Sequence, residues 1–314
     1  MGESPVAVLL MAMGGPDRLE DVEPYLLDVR GGRSTPPELV EEIRERYRAI
    51  GGKSPVPEIT QELARKLEDV LNIGAGVSYR VLVGFRHWQP YISQAYANLL
   101  EERPQRLIGL CLAPQYNSMT VARYFEKLDA ARASSGGDFP ITPITSWCRE
   151  PRLVRAIADN VLAGLSRFSP ETRLTVPVVF TAHSLPERIL ETGDPYPDEC
   201  LATMEAVSKE LATPSAPVAH FAFQSQGRSA ERWLGPTVEA TLEKLAGEGH
   251  RQVLIAPIGF VSDHVETLYD VDVEFKARAA ELGMRLERIS MLNAGTPLVE
   301  TLAGLIEERS GAAC

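Results

Sequence analysis

Apolar runs rich in Val, Ile and Leu recur along the chain, separated by polar stretches with a longer period. In the first half they span Val6 to Met13, Tyr79 to Phe85, Leu107 to Leu112 and Ile141 to Trp147. In the second half they span Val176 to Ala182, Val218 to Phe223, Gln252 to Pro257 and Arg285 to Ser290. Short runs of this composition read as buried strands. Between them the apolar residues fall four apart: Ile59, Leu63, Leu67 and Leu71 follow Pro57, and Leu153, Ile157, Val161 and Leu165 follow Pro151. That is the buried stripe of a helix with proline in its first turn. Strands alternating with helices imply parallel sheets covered on both faces. The expected fold is therefore α/β, two similar doubly wound domains at residues 1–150 and 151–296, each a four-stranded parallel sheet flanked by helices. A last helix, Pro297 to Arg309, can pack on either domain, the N-terminal one included.

In such sheets ligands sit beyond the carboxyl ends of the strands, so chemistry is sought in the segments that follow each run. After the first comes Met13-Gly14-Gly15-Pro16-Asp17, which matches neither dinucleotide nor P-loop fingerprints and reads as a tight turn under a ligand or a weak phosphate loop. Gly84 to Trp88 and Ala113 to Ser118 are polar and aromatic loops, as a flat ligand would need. The run that ends in Thr181-Ala182-His183 leaves one histidine at a strand end, either a satisfied structural group or a functional one.

The stretch Gly259 to Arg278 is the most informative. Ser262 or Asp263 is suited to cap a helix on which Leu268, Val271, Phe275 and Ala279 form an apolar face and Glu266, Asp270 and Glu274 form a row four residues apart. Like charges at that spacing cost a helix about 0.2–0.5 kcal/mol per pair. The row is then either a solvated face, or a feature that binds a hard or borderline cation or moves protons. His183 ends the first strand of the second domain and Glu266 follows the third, so one sheet edge offers an imidazole and a carboxylate. Fe(II) or Zn(II) accepts that pair. With no HExxH motif, a transiently bound metal fits better than a resident one, and with no GxSxG ahead of Ser184 a serine hydrolase is set aside.

Composition narrows the class. A chain of 314 residues, 44% hydrophobic and 24% charged, is a two-domain globular protein, and a net charge of -11 argues against a nucleic-acid backbone as partner. No basic residues precede the first apolar run, Val6 spoils a myristoylation signal, and no apolar segment approaches the roughly 20 residues of a membrane span. Cys111, Cys148, Cys200 and Cys314 form no CxxC pair, which disfavours disulfides, structural zinc and an iron-sulfur cluster. A reduced, cytoplasmic protein is expected.

Several segments together resemble the ferrochelatases, which insert Fe(II) into a porphyrin. They are MGGPD at 13–17, YRAIGGKSP at 47–55, APQYNS at 113–118, TAHSLP at 181–186, Gln224-Ser225 with Trp233-Leu234-Gly235-Pro236, and GFVSDHVETLYDVD at 259–272. The resemblance implies two Rossmann-like domains around a porphyrin cleft and no organic cofactor, with porphyrin and Fe(II) as substrates. It assigns His183 and Glu266 to metal ligation and proton acceptance, and Asp270 and Glu274 to a carboxylate trail for metal or protons. Met13 is placed facing the other side of the ring. The region Asp28 to Pro37 is short and basic, and resembles that of relatives using coproporphyrin III, making Arg30, Arg46, Ser54 and Tyr124 propionate contacts. Arg33 and Lys53 read equally as basic surface. A monomer without membrane insertion is expected. The alternatives are a protoporphyrin IX ferrochelatase or a non-catalytic tetrapyrrole or metal carrier. A cobalt or sirohydrochlorin chelatase would bring more histidines to the metal than the five scattered at 87, 183, 220, 250 and 264.

Overall fold

The computed structural model describes residues 4–74, 76–211, 217–227 and 229–311, so Cys314 lies outside the described residues. The chain divides into two compact units. The first comprises residues up to Ala113, Met119–Ser146 and the segment from Asn293; the second comprises Pro114–Ser118 and Trp147–Leu292.

In the first unit β1 (Val6–Ala12), β2 (Tyr79–Phe85), β3 (Arg106–Cys111) and β4 (Ile141–Ile144) form one parallel sheet in the order β2-β1-β3-β4. Every residue of β1 is buried, as its unbroken apolar run requires of a central strand. The helices are α1 (Val22–Val29), α2 (Pro37–Ala49), α3 (Val56–Leu71), α4 (Ile92–Glu102) and α5 (Val121–Ser135). The second unit follows the same plan. Its helices α6 (Pro151–Leu165), α7 (Tyr196–Glu210) and α8 (Val238–Gly247) flank β5 (Val178–His183), β6 (Ala219–Gln224), β7 (Gln252–Pro257) and β8 (Arg285–Arg288), in the order β6-β5-β7-β8. Each sheet therefore reverses its strand order beside its first strand, which creates a crevice at the carboxyl ends of β1 and β3 and another at those of β5 and β7. The two units also share a loop device: the Phe85 N–H donates to the Pro90 carbonyl at 2.8 Å, and the Phe223 N–H donates to the Pro236 carbonyl at 2.8 Å.

The last helix, α10 (Thr296–Ser310), belongs to the first unit, where the Tyr79 hydroxyl meets Ser310 Oγ at 2.8 Å and Lys66 Nζ donates to the Ala294 carbonyl at 2.8 Å. Two stretches depart from an even division at residue 150. The fourth apolar run stops being strand after Ile144, and Trp147 instead donates to the Pro114 carbonyl at 2.9 Å. The loop 114–118 folds with the second unit because that unit supplies its partners. Gln115 Nε2 donates to Thr203 Oγ1 at 2.9 Å and to the Ile258 carbonyl at 3.1 Å, while the Tyr116 and Ser118 N–H groups donate to Glu199 and Asp194, each at 2.7 Å.

The segment after β7 differs more. The spacing predicts an α-helix, but Glu266–Phe275 is a π-helix, continued by α9 (Lys276–Glu281). Neither Ser262 nor Asp263 caps it; Val265 precedes it, and the Asp263 carboxylate is taken by Arg288 at 3.1 Å. In an i→i+5 ladder four residues fall just short of a turn, so Glu266, Asp270 and Glu274 still lie along one side. The opposite side is the expected anchor: Val271, Phe275 and Ala279 are buried among Val179, Leu242, Ile255 and Leu286, with Leu268 only half-buried.

Candidate active site

The side chains with metal and proton chemistry gather at the carboxyl edge of the second unit's sheet, at its point of strand reversal. His183 is the last residue of β5, and its Nε2 lies 3.3 Å from Glu266 Oε1 on the π-helix. His183 Nδ1 donates to the Ser184 carbonyl, and a carbonyl can only accept, so Nδ1 carries a proton and Nε2 is the nitrogen turned to the carboxylate. The Tyr196 hydroxyl donates to the His183 carbonyl at 2.9 Å and holds the strand end in place.

A second imidazole completes the arrangement. His264 Nδ1 donates to the Ser262 carbonyl at 3.1 Å, leaving its Nε2 3.5 Å from Glu266 Oε2. At that separation the two atoms form a charge contact, and neither His264 Nε2 nor Glu266 Oε2, both buried, has a hydrogen-bond partner within the protein. A buried acceptor left in this way is costly unless another group completes it. The ring of His264 rests against Phe260, with centroids 4.3 Å apart.

Electrostatics lock His183 and Glu266 together. Burial disfavours the charged imidazole, but the Glu266 charge and hydrogen bond, the Ser184 carbonyl and the Asp270 charge outweigh it and push His183 up to about 9. Burial would likewise raise Glu266, yet His183 and His264 hold it well below the usual carboxylate range. The resting pair is an imidazolium beside a carboxylate, with the proton held between them.

The rest of the carboxylate row is divided. Asp270 is only 4% exposed and accepts from Ser225 Oγ at 2.5 Å, Ser225 being held at a left-handed φ of 57° just after β6. Gln224 connects the two strand ends, since Thr181 Oγ1 donates to Gln224 Oε1 at 2.6 Å. Glu274 lies on the exposed surface of the π-helix. The row thus runs from the paired histidine to solvent.

The expected substrate contacts all fall in the first unit. Met13 follows β1 and is 44% exposed. Arg30 ends α1 with its Nε buried and lacking a hydrogen-bond partner, and Arg46 on α2 reaches Glu42 at 3.4 Å. Ser54 is buried; its N–H donates to the Pro16 carbonyl at 2.8 Å, and a Cβ on Gly15 would stand 2.3 Å from Ser54 Oγ. Gly15 is therefore required by the close approach of the Ser54 side chain to its backbone. Tyr124 is buried on α5 with the Arg86 guanidinium 5.7 Å from its ring centre, and burial pushes its hydroxyl well above the ordinary range. Asp28, two residues before Arg30, is clamped by His87 Nδ1 at 2.6 Å and by the Tyr91 hydroxyl at 3.1 Å.

Tyr196 and Arg288 are not legible in the sequence; His264, with Asp263 at the helix start, adds a little to the cation or proton reading of the carboxylate row.

Comparison with known proteins decides the family. A sequence model described as Ferrochelatase matches residues 5–310. The chain belongs to the ferrochelatase family. It is 40% identical over 300 residues to the ferrochelatase of Herpetosiphon aurantiacus, covering 96% of this chain and 97% of that one. It is 37% identical over 313 residues to the coproporphyrin III ferrochelatase of Geobacillus kaustophilus, covering 98% and 97%. Among solved structures it is similar in fold to SirB from Bacillus subtilis with Fe3+, at a TM-score of 0.59 and 9% identity over 97% of this chain and 95% of that one. Ferrochelatases are lyases of haem biosynthesis that insert iron into a porphyrin, so the substrates of the family are a porphyrin and the metal. No helix among the described residues is long and apolar enough to cross a membrane.

Proposed function

We propose that this ferrochelatase inserts Fe(II) into coproporphyrin III, with His183 and Glu266 as the reacting pair. The observation that carries the reading is the 3.3 Å contact of His183 Nε2 and Glu266 Oε1 beside Glu266 Oε2 and His264 Nε2, which face one another at 3.5 Å without a hydrogen bond. Insertion exchanges two porphyrin N–H protons for one Fe(II), so the site must bind a dication and take up protons in one place. In the resting pair the proton on His183 is held by the Glu266 charge. An arriving Fe(II) that engages Glu266 offsets that charge and releases the imidazole proton. His183 Nε2 is then free to ligate the metal or to accept a proton from the ring. Asp270, held by Ser225, and the exposed Glu274 form the route along which metal arrives or protons leave.

The choice of porphyrin rests on charge. Coproporphyrin III carries four propionates and protoporphyrin IX two, and each carboxylate taken from water needs a cationic or hydrogen-bonding partner. Arg30 supports the larger number, because its buried Nε is a charged donor with no acceptor in the protein. Arg46, Ser54 and Tyr124 are the further contacts, and Met13 meets the ring. The name of the Geobacillus kaustophilus relative agrees with this reading. It works as a cytoplasmic monomer with no organic cofactor or iron-sulfur cluster. Anaerobic Fe(II) with each porphyrin, followed by visible absorbance over many turnovers, is the test. A kcat/KM higher for coproporphyrin III is expected; preference for protoporphyrin IX overturns the substrate, and binding without turnover overturns the enzyme in favour of a carrier.

A further inference from the structure

The π-helix and the loop before it are tied to the sheet by one buried cation. Arg288, the last residue of β8, is 11% exposed. Its Nε and Nη2 donate to the two carboxylate oxygens of Asp272 at 2.9 and 2.7 Å, while its Nη1 lies 3.1 Å from Asp263 Oδ1 and donates to the Ile289 carbonyl at 3.2 Å. Asp263 stands three residues before Glu266 and Asp272 six after it. The guanidinium therefore grips both sides of the segment that carries Glu266 and His264.

We infer that Arg288 is a positioning residue for metal insertion, which holds the loop and the π-helix so that Glu266 stays in reach of His183. This rests on the reading of His183 and Glu266 as the reacting pair. The geometry calls for arginine, because two carboxylates and a carbonyl are met by a planar fork that a lysine ammonium cannot reproduce. The guanidinium is itself largely buried, so removing it takes away the charge that Asp263 and Asp272 share. Supporting groups of this kind change metal affinity or activity by about 10–100-fold when replaced. An open pocket of about 430 Å³, lined among others by Asp272, Lys276 and Arg288, connects the cluster to solvent.

That pocket gives a test that a merely structural role would fail. In the full-length protein, Arg288→Lys and Asp272→Asn are expected to lower kcat for Fe(II) insertion about 10-fold or more and to leave KM for coproporphyrin III unchanged. Arg288→Ala is expected to lose more and to regain at least several-fold on addition of millimolar guanidinium, but not methylammonium, through the pocket. Wild-type kcat in folded Arg288→Lys, or a folded Arg288→Ala that guanidinium does not restore, overturns the inference. If Arg288→Ala does not fold, Arg288→Lys and Asp272→Asn decide alone. Glu266→Gln, measured alongside, separates the two ideas. If it inserts iron normally the pair itself is wrong, whereas if it is inactive while Arg288→Lys is normal only the positioning role is lost.

Discussion

At the carboxyl end of β1 stands Met13, an exposed thioether followed by two glycines and a proline; at the same place on β5 stands His183, pressed against a carboxylate. The strands around them correspond, in orders β2-β1-β3-β4 and β6-β5-β7-β8, and so do the proline loops that cap the second strand of each sheet. One topology thus builds the same crevice twice. In the second unit it is filled with groups that take protons and metals. In the first its neighbourhood offers arginines, a buried serine and a tyrosine, groups that bind anions and rings. Fold fixes where a ligand can sit, and the residues at the strand ends decide what is done to it.

The largest test of that comparison copies one unit's chemistry into the other. His183→Met places in the second unit the side chain that ends β1, and insertion is expected to fall about 10²–10⁴-fold, the usual worth of a positioned acid–base group. Met13→Ala should change kcat by less than about 10-fold, since Met13 takes no part in proton transfer. Steady-state insertion at matched porphyrin saturation checks both. Next in size are the arginines of the first unit. A charge-assisted hydrogen bond is worth about 1.5–3 kcal/mol, so Arg30→Ala and Arg46→Ala should each lower kcat/KM for coproporphyrin III by about one to two decades. The same changes should affect protoporphyrin IX less, a difference seen by running both porphyrins on each variant.

Smaller effects belong to the carboxylate row. Ser225→Ala removes one hydrogen bond from the buried Asp270 and is expected to raise the KM for Fe(II) about 5-fold or more, at roughly 1 kcal/mol for a hydrogen bond, with porphyrin KM unchanged. Glu274→Gln, on an exposed surface, should shift the Fe(II) KM by less than about 5-fold. The smallest effect is on stability. His183 binds its proton up to about pH 9 in the folded metal-free protein but only to about 6.5 when unfolded, so between those values the folded state holds more protons and stability declines as pH rises. The His183 contribution is fully present below about 6.5 and lost through about 9. Thermal melts should therefore fall across that window more steeply in the wild type than in Glu266→Gln, where the charge that raises His183 is gone.

The alternation of apolar runs and helical stripes was enough to read both sheets, because buried parallel strands have little freedom of composition. The proximity of His183 and Glu266 was legible for a related reason: one ends a strand that the pattern located and the other follows one, and sheet topology brings such ends together. The π-helix was not legible. Its carboxylates and apolar residues keep a four-residue spacing that suits an α-helix equally well, and Val271 and Phe275 are buried as either helix would have them. Arg288 itself lay at the end of a short edge strand, where a basic residue reads as solvated surface. The transfer of the 114–118 loop to the second unit was hidden because it depends on Thr203, Glu199 and Asp194, far away in sequence.

The most direct measurement of the central claim is a single-turnover experiment on Glu266→Gln with coproporphyrin III bound, mixed anaerobically with Fe(II) and followed by absorbance. The substitution keeps the shape of the side chain and removes the charge that holds the proton on His183. The account predicts that the variant binds the porphyrin as the wild type does and that the metal-free spectrum then persists, with insertion slowed at least about 100-fold. Conversion to the iron porphyrin at the wild-type rate would contradict it.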